Sequence, residues 1–160
     1  MDLLLKHILL SFILFLYFGM NAVLANEAPS DVKGAQTISL DKAKSLYHEG
    51  AVFIDVRDID LWQAGHIEGA VHLDFSAEEF IVLYASDALD KKTPVVFYCE
   101  SPLVNSSAMA SFFAAAWGYE NVYYFREGFY AWLAADYPIS MKSSPSYFTA
   151  DTQASIPAAN

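Results

Sequence analysis

Short continuous runs of apolar residues alternate along the middle of the chain with segments whose apolar residues recur at helical spacing. The runs are typical of parallel strands buried on both faces, and they predict strands at 51–54, 70–73, 95–98 and 122–125. The intervening segments predict helices at 40–48, 59–64, 77–84, 107–117 and 129–135. This alternation favours a parallel sheet covered by helices on both faces.

An apolar run at 8–18, preceded by a lysine and a histidine, lies near the start of the chain. The run is shorter than the ~20 residues that a membrane span needs. Val23 and Ala25 are small enough to precede a signal-peptidase cleavage site. We therefore expect a signal peptide over 1–25, cleaved after Ala25, and a periplasmic or secreted protein. The alternative is an uncleaved N-terminal anchor, which also places the domain outside the cytoplasm.

The length of 160 residues is that of one ordinary domain. Pro29 and Gly34 lie in a segment that we expect to be a flexible leader, at 26–35. The domain follows at 36–140, and a segment rich in Ser, Ala, Thr and Pro predicts a mobile tail at 141–160.

The charge balance limits the classes of partner. Nine Lys and Arg stand against 19 Asp and Glu, a formal net charge of −10. This acidic chain lacks the basic patch that nucleic-acid binding needs. The single cysteine, Cys99, excludes an internal disulfide and a zinc site built on several thiolates. We expect no metal and no cofactor.

Cys99 directly follows the predicted strand at 95–98, and a helix begins after it near Ser106 or Ser107. In open parallel sheets, sites form at the carboxyl ends of strands, where the next helix presents unpaired N–H groups. Such groups lower the pKa of a thiol, whereas the adjacent Glu100 raises it. The two effects are similar in size and leave the direction of the shift open. A buried structural cysteine is the alternative, since free cysteines are often buried.

Three ordered signatures flank this cysteine. They read FIDVR at 53–57, GHIEGAV at 65–71 and VYYFREGFYAW at 122–132. Together they resemble the rhodanese-like family over residues 36–140. The resemblance implies an α/β fold, with one small parallel sheet flanked by helices on both faces. It also implies that Cys99 stands where active members carry sulfur as a persulfide.

The signatures also contain residues that we expect to be structural. These are Asp55, Arg57, Gly65, His66, Gly69, Gly128 and Trp132. Asp55 ends a strand and can accept N–H bonds from the following turn, and we expect Arg57 to pair with an acidic neighbour such as Glu68. Gly65 and Gly69 suit a tight turn with positive φ. We expect His66 to satisfy backbone groups, and Trp132 to lie in the core with Phe129.

The loop after Cys99 departs from the family pattern. Its six residues, 99–104, keep the family's length, but Val104 stands where an Arg is common, and no Lys or Arg lies between 93 and 125. Related exported proteins have a second cysteine at that position, and this chain does not. We expect main-chain N–H groups and small polar side chains to form a cradle for an anion. The candidate residues are Glu100, Ser101, Pro102 (which lacks an N–H), Leu103, Val104, Asn105, Ser106 and Ser107.

These features favour an exported sulfurtransferase or sulfur carrier that uses Cys99 and acts weakly on thiosulfate. Its partner would be a small sulfane-sulfur donor or a protein thiol, with no nucleic acid and no membrane after signal cleavage. The first alternative is an inactive rhodanese-like module that recruits a partner protein. The second, a cysteine phosphatase, is disfavoured because that class needs a loop Arg to hold phosphate.

Overall fold

Runs of buried apolar residues form the centre of a five-stranded parallel sheet. The computed structural model describes residues 27–85 and 89–141. The strands are β1 (Gln36–Ile38), β2 (Val52–Asp55), β3 (His66–Ile67), β4 (Val71–His72), β5 (Val95–Tyr98), β6 (Val122–Phe125) and β7 (Ile139–Ser140). The parallel sheet has the order β1-β6-β5-β2-β4, and β3 and β7 form a separate antiparallel pair. The α/β architecture expected from the sequence is confirmed.

Five α-helices and one short 3-10 helix connect the strands. They are α1 (Leu40–His48), α2 (Ile59–Ala64), a 3-10 helix (Glu78–Ile81), α3 (Val82–Ala85), α4 (Ser106–Ala116) and α5 (Gly128–Ala134). The N-cap predicted for α1 is present, because the Ser39 side chain accepts a hydrogen bond from the N–H of Lys42 at 3.4 Å. The segment predicted as one helix at 77–84 instead divides into the 3-10 helix and α3.

Both faces of the sheet are buried, and a separate hydrophobic core lies on each face. Ile54 and Phe97 belong to one core with residues of the 3-10 helix, α3 and α4. Phe53 and Tyr98, their neighbours along the strands, belong to the other core with α1, α2 and α5. Because successive strand side chains point to opposite faces, this division also assigns Cys99, which follows Tyr98, to the α4 side.

Three short strands were not predicted. β1, β3 and β7 have only two or three residues each, which is too few for an apolar period to be recognised.

Residues 27–35, predicted as a flexible leader, contact the domain, and Ala28 is 3% exposed. The predicted signal peptide at 1–25 lies outside the described residues, as does the predicted tail after Met141. Within the described ranges, no helix has the length and apolar character needed to cross a membrane.

A buried ion pair holds the turn after β2. The Arg57 guanidinium binds the Asp55 carboxylate, with Nε 2.9 Å from Oδ1, and its Nη2 donates to the carbonyl oxygen of Gly65 at 2.7 Å. Both charged side chains are almost fully buried. Arg57 therefore pairs with an acidic neighbour, as expected, but this neighbour is Asp55 and not Glu68. Asp55 is held at the strand end two residues before Arg57, whereas Glu68 is exposed.

Replacing Asp55 by Asn should destabilise the fold by about 3–5 kcal/mol, because it leaves the Arg57 charge buried without its counter-ion. Urea unfolding followed by circular dichroism measures the change. The matched control is Glu49→Gln, which removes a carboxylate from an exposed pair with Lys42 at 4.0 Å and should cost less than about 1 kcal/mol. Equal losses in the two variants would contradict this account of the buried pair.

Candidate active site

Cys99 lies directly after β5, at the carboxyl edge of the parallel sheet. Its side chain is packed beneath the loop that leads to α4, and the residue is 1% exposed. Val104, in the position where the family commonly has Arg, packs against the same core. The site therefore has the predicted location, but the loop covers the sulfur atom.

The polar contacts of the sulfur come from the loop and from the first turn of α4. The Ser107 hydroxyl lies 3.0 Å from the Cys99 Sγ and shares a hydrogen bond with it. The thiol also faces the carbonyl oxygens of Val104, at 3.3 Å, and Ser101, at 3.6 Å. These carbonyl groups accept a hydrogen bond from the thiol and hence stabilise its protonated form.

The environment raises the pKa of the Cys99 thiol above its ordinary value. Burial is the largest cause, and the neighbouring Glu100 carboxylate acts in the same direction. The Ser107 hydroxyl and the main-chain N–H groups of Ser107 and Ser101 oppose this by lowering the pKa. Burial thus decides the direction of the pKa shift, which the sequence left open. The reduced protein has a thiol that is mainly protonated at neutral pH.

The predicted cradle is only partly assembled around the sulfur. Ser101 and Ser107 contribute, and Val104 does so through its carbonyl group. Across the described ranges, no hydrogen bond joins the sulfur to the remaining candidates, which are Glu100, Pro102, Leu103, Asn105 and Ser106. Leu103 is 62% exposed, and Asn105 precedes α4 without a side-chain cap hydrogen bond. The cradle residues thus share the loop but do not all face the sulfur.

The start of α5 holds the main chain of the cysteine. The N–H of Phe129 donates to the carbonyl oxygen of Cys99 at 2.8 Å, and the N–H of Tyr130 donates to that of Glu100 at 3.0 Å. Gly128 has φ 69°, and a Cβ at this position would stand 2.5 Å from the Cys99 carbonyl oxygen. Only glycine allows this close approach, which explains the glycine in the third sequence signature.

The segment formed by Glu27 and Ala28 contacts the loop after Cys99. The N–H of Ala28 donates to the carbonyl oxygen of Pro102 at 2.7 Å. Arg126 holds this segment, because its Nε donates to the Ala28 carbonyl oxygen at 3.1 Å and its Nη2 binds the Glu27 carboxylate at 2.7 Å. Glu27, Ala28 and Arg126 were not predicted as site residues. The one available signal was that Arg126 is the first cation after the gap at 93–125.

The remaining signature residues support the scaffold. The His66 Nδ1 lies 2.9 Å from the Trp62 carbonyl oxygen, and its ring stacks on the Trp62 ring. Gly69 has φ 76°. Trp132 is fully buried, and its Nε1 donates to the Pro138 carbonyl oxygen at 3.0 Å.

No group of three or more His, Cys, Asp or Glu with metal-binding geometry occurs in the part of the chain that the structure describes.

The fold agrees with comparisons to known proteins. The Rhodanese-like domain family matches residues 39–135. The chain belongs to this family. The family resemblance drawn from the three signatures is thereby confirmed.

Named relatives are sulfurtransferases. The chain is 41% identical over 102 residues to "Thiosulfate sulfurtransferase GlpE" of Pseudomonas entomophila, covering 63% of this chain and 86% of the relative. The human "Single Domain Sulfurtranferase TSTD1" has 27% identity and a TM-score of 0.52, covering 63% of this chain and 97% of that one. A thiosulfate sulfurtransferase structure from Pseudomonas aeruginosa, at 21% identity, TM-score 0.56 and coverage of 75% and 23%, supports the fold. These relatives place the chain among rhodanese-type sulfurtransferases.

Alkylation of Cys99 by neutral iodoacetamide should accelerate at a higher pH than alkylation of N-acetylcysteine does. The reason is that the raised pKa of Cys99 leaves little thiolate at any pH below that pKa. Stopped assays from neutral to alkaline pH, read by mass spectrometry, give the inflection. Ser107→Ala should move it higher by removing a donor to the thiolate, and Glu100→Gln should move it lower.

Glu120→Gln is the control for charge in this experiment. It removes one exposed carboxylate before β6, at the amino-terminal ends of the strands and hence away from Cys99, and should leave the inflection in place. An inflection below that of N-acetylcysteine would show that the loop N–H groups, and not burial, dominate the titration.

Proposed function

We propose that the protein is an exported sulfurtransferase or sulfur carrier in which Cys99 is the nucleophile that becomes a persulfide. The observation that carries the proposal is the hydrogen-bonded position of the Cys99 Sγ, 3.0 Å from the Ser107 hydroxyl at the carboxyl end of β5. The relatedness to named thiosulfate sulfurtransferases supports the same reaction class. The partners are a small sulfane-sulfur donor and an acceptor such as a protein thiol.

The transfer proceeds in two steps, uptake of the sulfur by Cys99 and its release to an acceptor. The Cys99 thiolate attacks the outer sulfur of the donor, a Cys–S bond to sulfur forms, and the donor's bond to that sulfur breaks. With thiosulfate the leaving group is sulfite, which departs with the electron pair of the broken bond. A nucleophilic acceptor, cyanide or a thiolate, then attacks the outer persulfide sulfur and releases the Cys99 thiolate.

The residues around the sulfur support weak use of thiosulfate. Val104 gives the loop an apolar side chain where an Arg would bind a dianion, and Glu100 repels one. The raised pKa of Cys99 also keeps the thiolate fraction low at neutral pH. Since the cysteine is 1% exposed, every donor also requires the loop to open. A hydropolysulfide or protein persulfide, whose sulfur chain carries a smaller overall charge than the thiosulfate dianion, fits these constraints better than thiosulfate.

Incubating the reduced protein with polysulfide should add 32 Da to Cys99, detectable by intact-mass and peptide mass spectrometry, and thiosulfate should give at least about tenfold slower conversion. The added mass should return to that of the thiol when cyanide or a small thiol is supplied. Cys99→Ser should gain no sulfur, and Ser107→Ala should react more slowly while keeping the fold.

No added sulfur with any of these donors would contradict the proposed reaction. The burial of Cys99 would then favour the alternative of a non-catalytic module. In that case Cys99→Ser should retain the protein's biological role.

Export of the full chain should produce a mature protein that begins at Asn26, because Val23 and Ala25 supply the small residues that signal peptidase requires. Intact-mass measurement of periplasmic and medium fractions tests this. Ala25→Gln should block cleavage, whereas Ala22→Gln, outside the two critical positions, should not. Uncleaved wild-type chain in the membrane fraction would instead support the N-terminal anchor.

A further inference from the structure

Arg126 directly follows β6, as Cys99 directly follows the neighbouring strand β5. In the parallel pairing of β5 with β6, Tyr98 is opposite Phe125, so Cys99 and Arg126 are the next residues along the same two strands. Tyr98 and Phe125 both belong to the core on the α5 side. Cys99 lies in the core on the α4 side, and strand alternation continued past Phe125 directs Arg126 to the same side. The strand order therefore brings a guanidinium to the edge at which the nucleophile lies.

The other arginine is not available for this role. Arg57 is buried, is paired with Asp55 and also donates to the Gly65 carbonyl oxygen. In contrast, the Arg126 side chain is 24% exposed, and its partner Glu27 is 63% exposed. An exposed pair of this kind contributes little to stability, so another anion can displace the Glu27 carboxylate.

We propose that Arg126 is the anion-binding residue of the sulfur site, and that Glu27 occupies its guanidinium until the oxyanion group of a sulfur donor displaces it. This inference rests on the proposed function, since it names the group that recognises the donor. A guanidinium presents a planar fork of N–H donors, which matches two oxygens of a thiosulfate or thiosulfonate. Arg126 thus offers from the end of β6 a positive charge that Val104 does not supply from the loop. Because Glu27 occupies this charge in the closed state, a thiosulfate dianion must first displace a carboxylate, which agrees with the weak use of thiosulfate proposed above.

The same contact links anion binding to access to the sulfur. Arg126 also donates to the carbonyl oxygen of Ala28, whose N–H donates to the Pro102 carbonyl oxygen in the loop over Cys99. Displacement of Glu27 removes one of the two contacts by which Arg126 holds this segment. The loop then has fewer restraints in the state that has bound an anionic donor.

Tyr124 provides an independent observation at the same place. Its hydroxyl is buried and has no hydrogen-bond partner among the described residues, an arrangement that is rare in folded proteins. Tyr124 precedes Arg126 by two residues, on the same face of the sheet, and the charges of both Cys99 and Arg126 influence its titration. Burial is the largest cause that raises the pKa of Tyr124 to about 12, so the hydroxyl keeps its proton and can donate to an incoming anion.

Two alkylating reagents of similar size but different charge test the proposal on the mature protein. Iodoacetate carries a carboxylate and iodoacetamide is neutral. The rate of Cys99 alkylation by iodoacetate divided by the rate with iodoacetamide therefore reports anion recognition independently of the thiol pKa. Glu27→Gln should raise this ratio about fivefold and Arg126→Gln should lower it about fivefold. Arg126→Lys keeps the charge and should retain most of the wild-type ratio.

Control variants make the same charge changes elsewhere. Glu120→Gln and Lys92→Gln alter exposed residues at the amino-terminal edge of the sheet and should leave the ratio unchanged. Thermal unfolding of each variant confirms that the fold is retained. Arg126→Gln should also raise the thiosulfate concentration needed for half-maximal persulfide formation by at least about fivefold, whereas Lys92→Gln should not.

If Glu27→Gln and Arg126→Gln accelerate both reagents equally, the contact only closes the loop and the anion-binding proposal is overturned. A shifted reagent ratio without any persulfide in the wild-type protein would uphold the anion-binding residue and overturn the sulfur-transfer function. The two proposals are thus separated by different readouts.

Discussion

The first turn of α5 is hydrogen-bonded to the main chain of Cys99 and Glu100, and this contact fixes where the cysteine lies. Two N–H groups, those of Phe129 and Tyr130, meet the two carbonyl groups at 2.8 and 3.0 Å. The approach is possible because Gly128 has no side chain, whereas a Cβ at this position would stand 2.5 Å from the Cys99 carbonyl oxygen. The carbonyl group of the cysteine is therefore directed toward α5, and its side chain toward α4.

This arrangement separates the position of the sulfur from its reactivity. The sulfur is held under a closed loop, where burial favours the thiol over the thiolate. Opening of the loop would admit water and remove the largest cause of the raised pKa, while the Ser107 hydroxyl at 3.0 Å belongs to α4 and would stay beside the sulfur. Nucleophilicity would then follow loop opening, and a thiol in the closed state would be protected from unselective oxidation.

The sequence predicted most of the elements because their signals are local. The helix at 40–48 has a serine cap and the strands at 95–98 and 122–125 are continuous apolar runs, and all three have their predicted bounds. The partner of Arg57 was missed because pairing depends on the backbone path of a turn. The sequence showed that 99–104 forms a loop after the cysteine, but it could not show that the Val104 carbonyl group faces the sulfur. Contact between Ala28 and Pro102 joins residues far apart in the chain, and no sequence pattern indicates it.

The acidic character of the chain gives the Arg126–Glu27 contact its significance. A protein with a net charge of −10 repels an anionic donor, and Glu100 adds to that repulsion beside the nucleophile. An arginine left free at this edge would bind any available anion. Because Glu27 already contacts the Arg126 Nη2 through one carboxylate oxygen, a displacing ligand must bind the guanidinium better than that contact does, as an oxyanion that accepts two hydrogen bonds can. Cleavage after Ala25, the proposed site, would leave a single residue ahead of Glu27. The new α-ammonium group would then carry a positive charge into the sequence next to the competing carboxylate, so that processing of the N-terminus and donor recognition would act on the same ion pair.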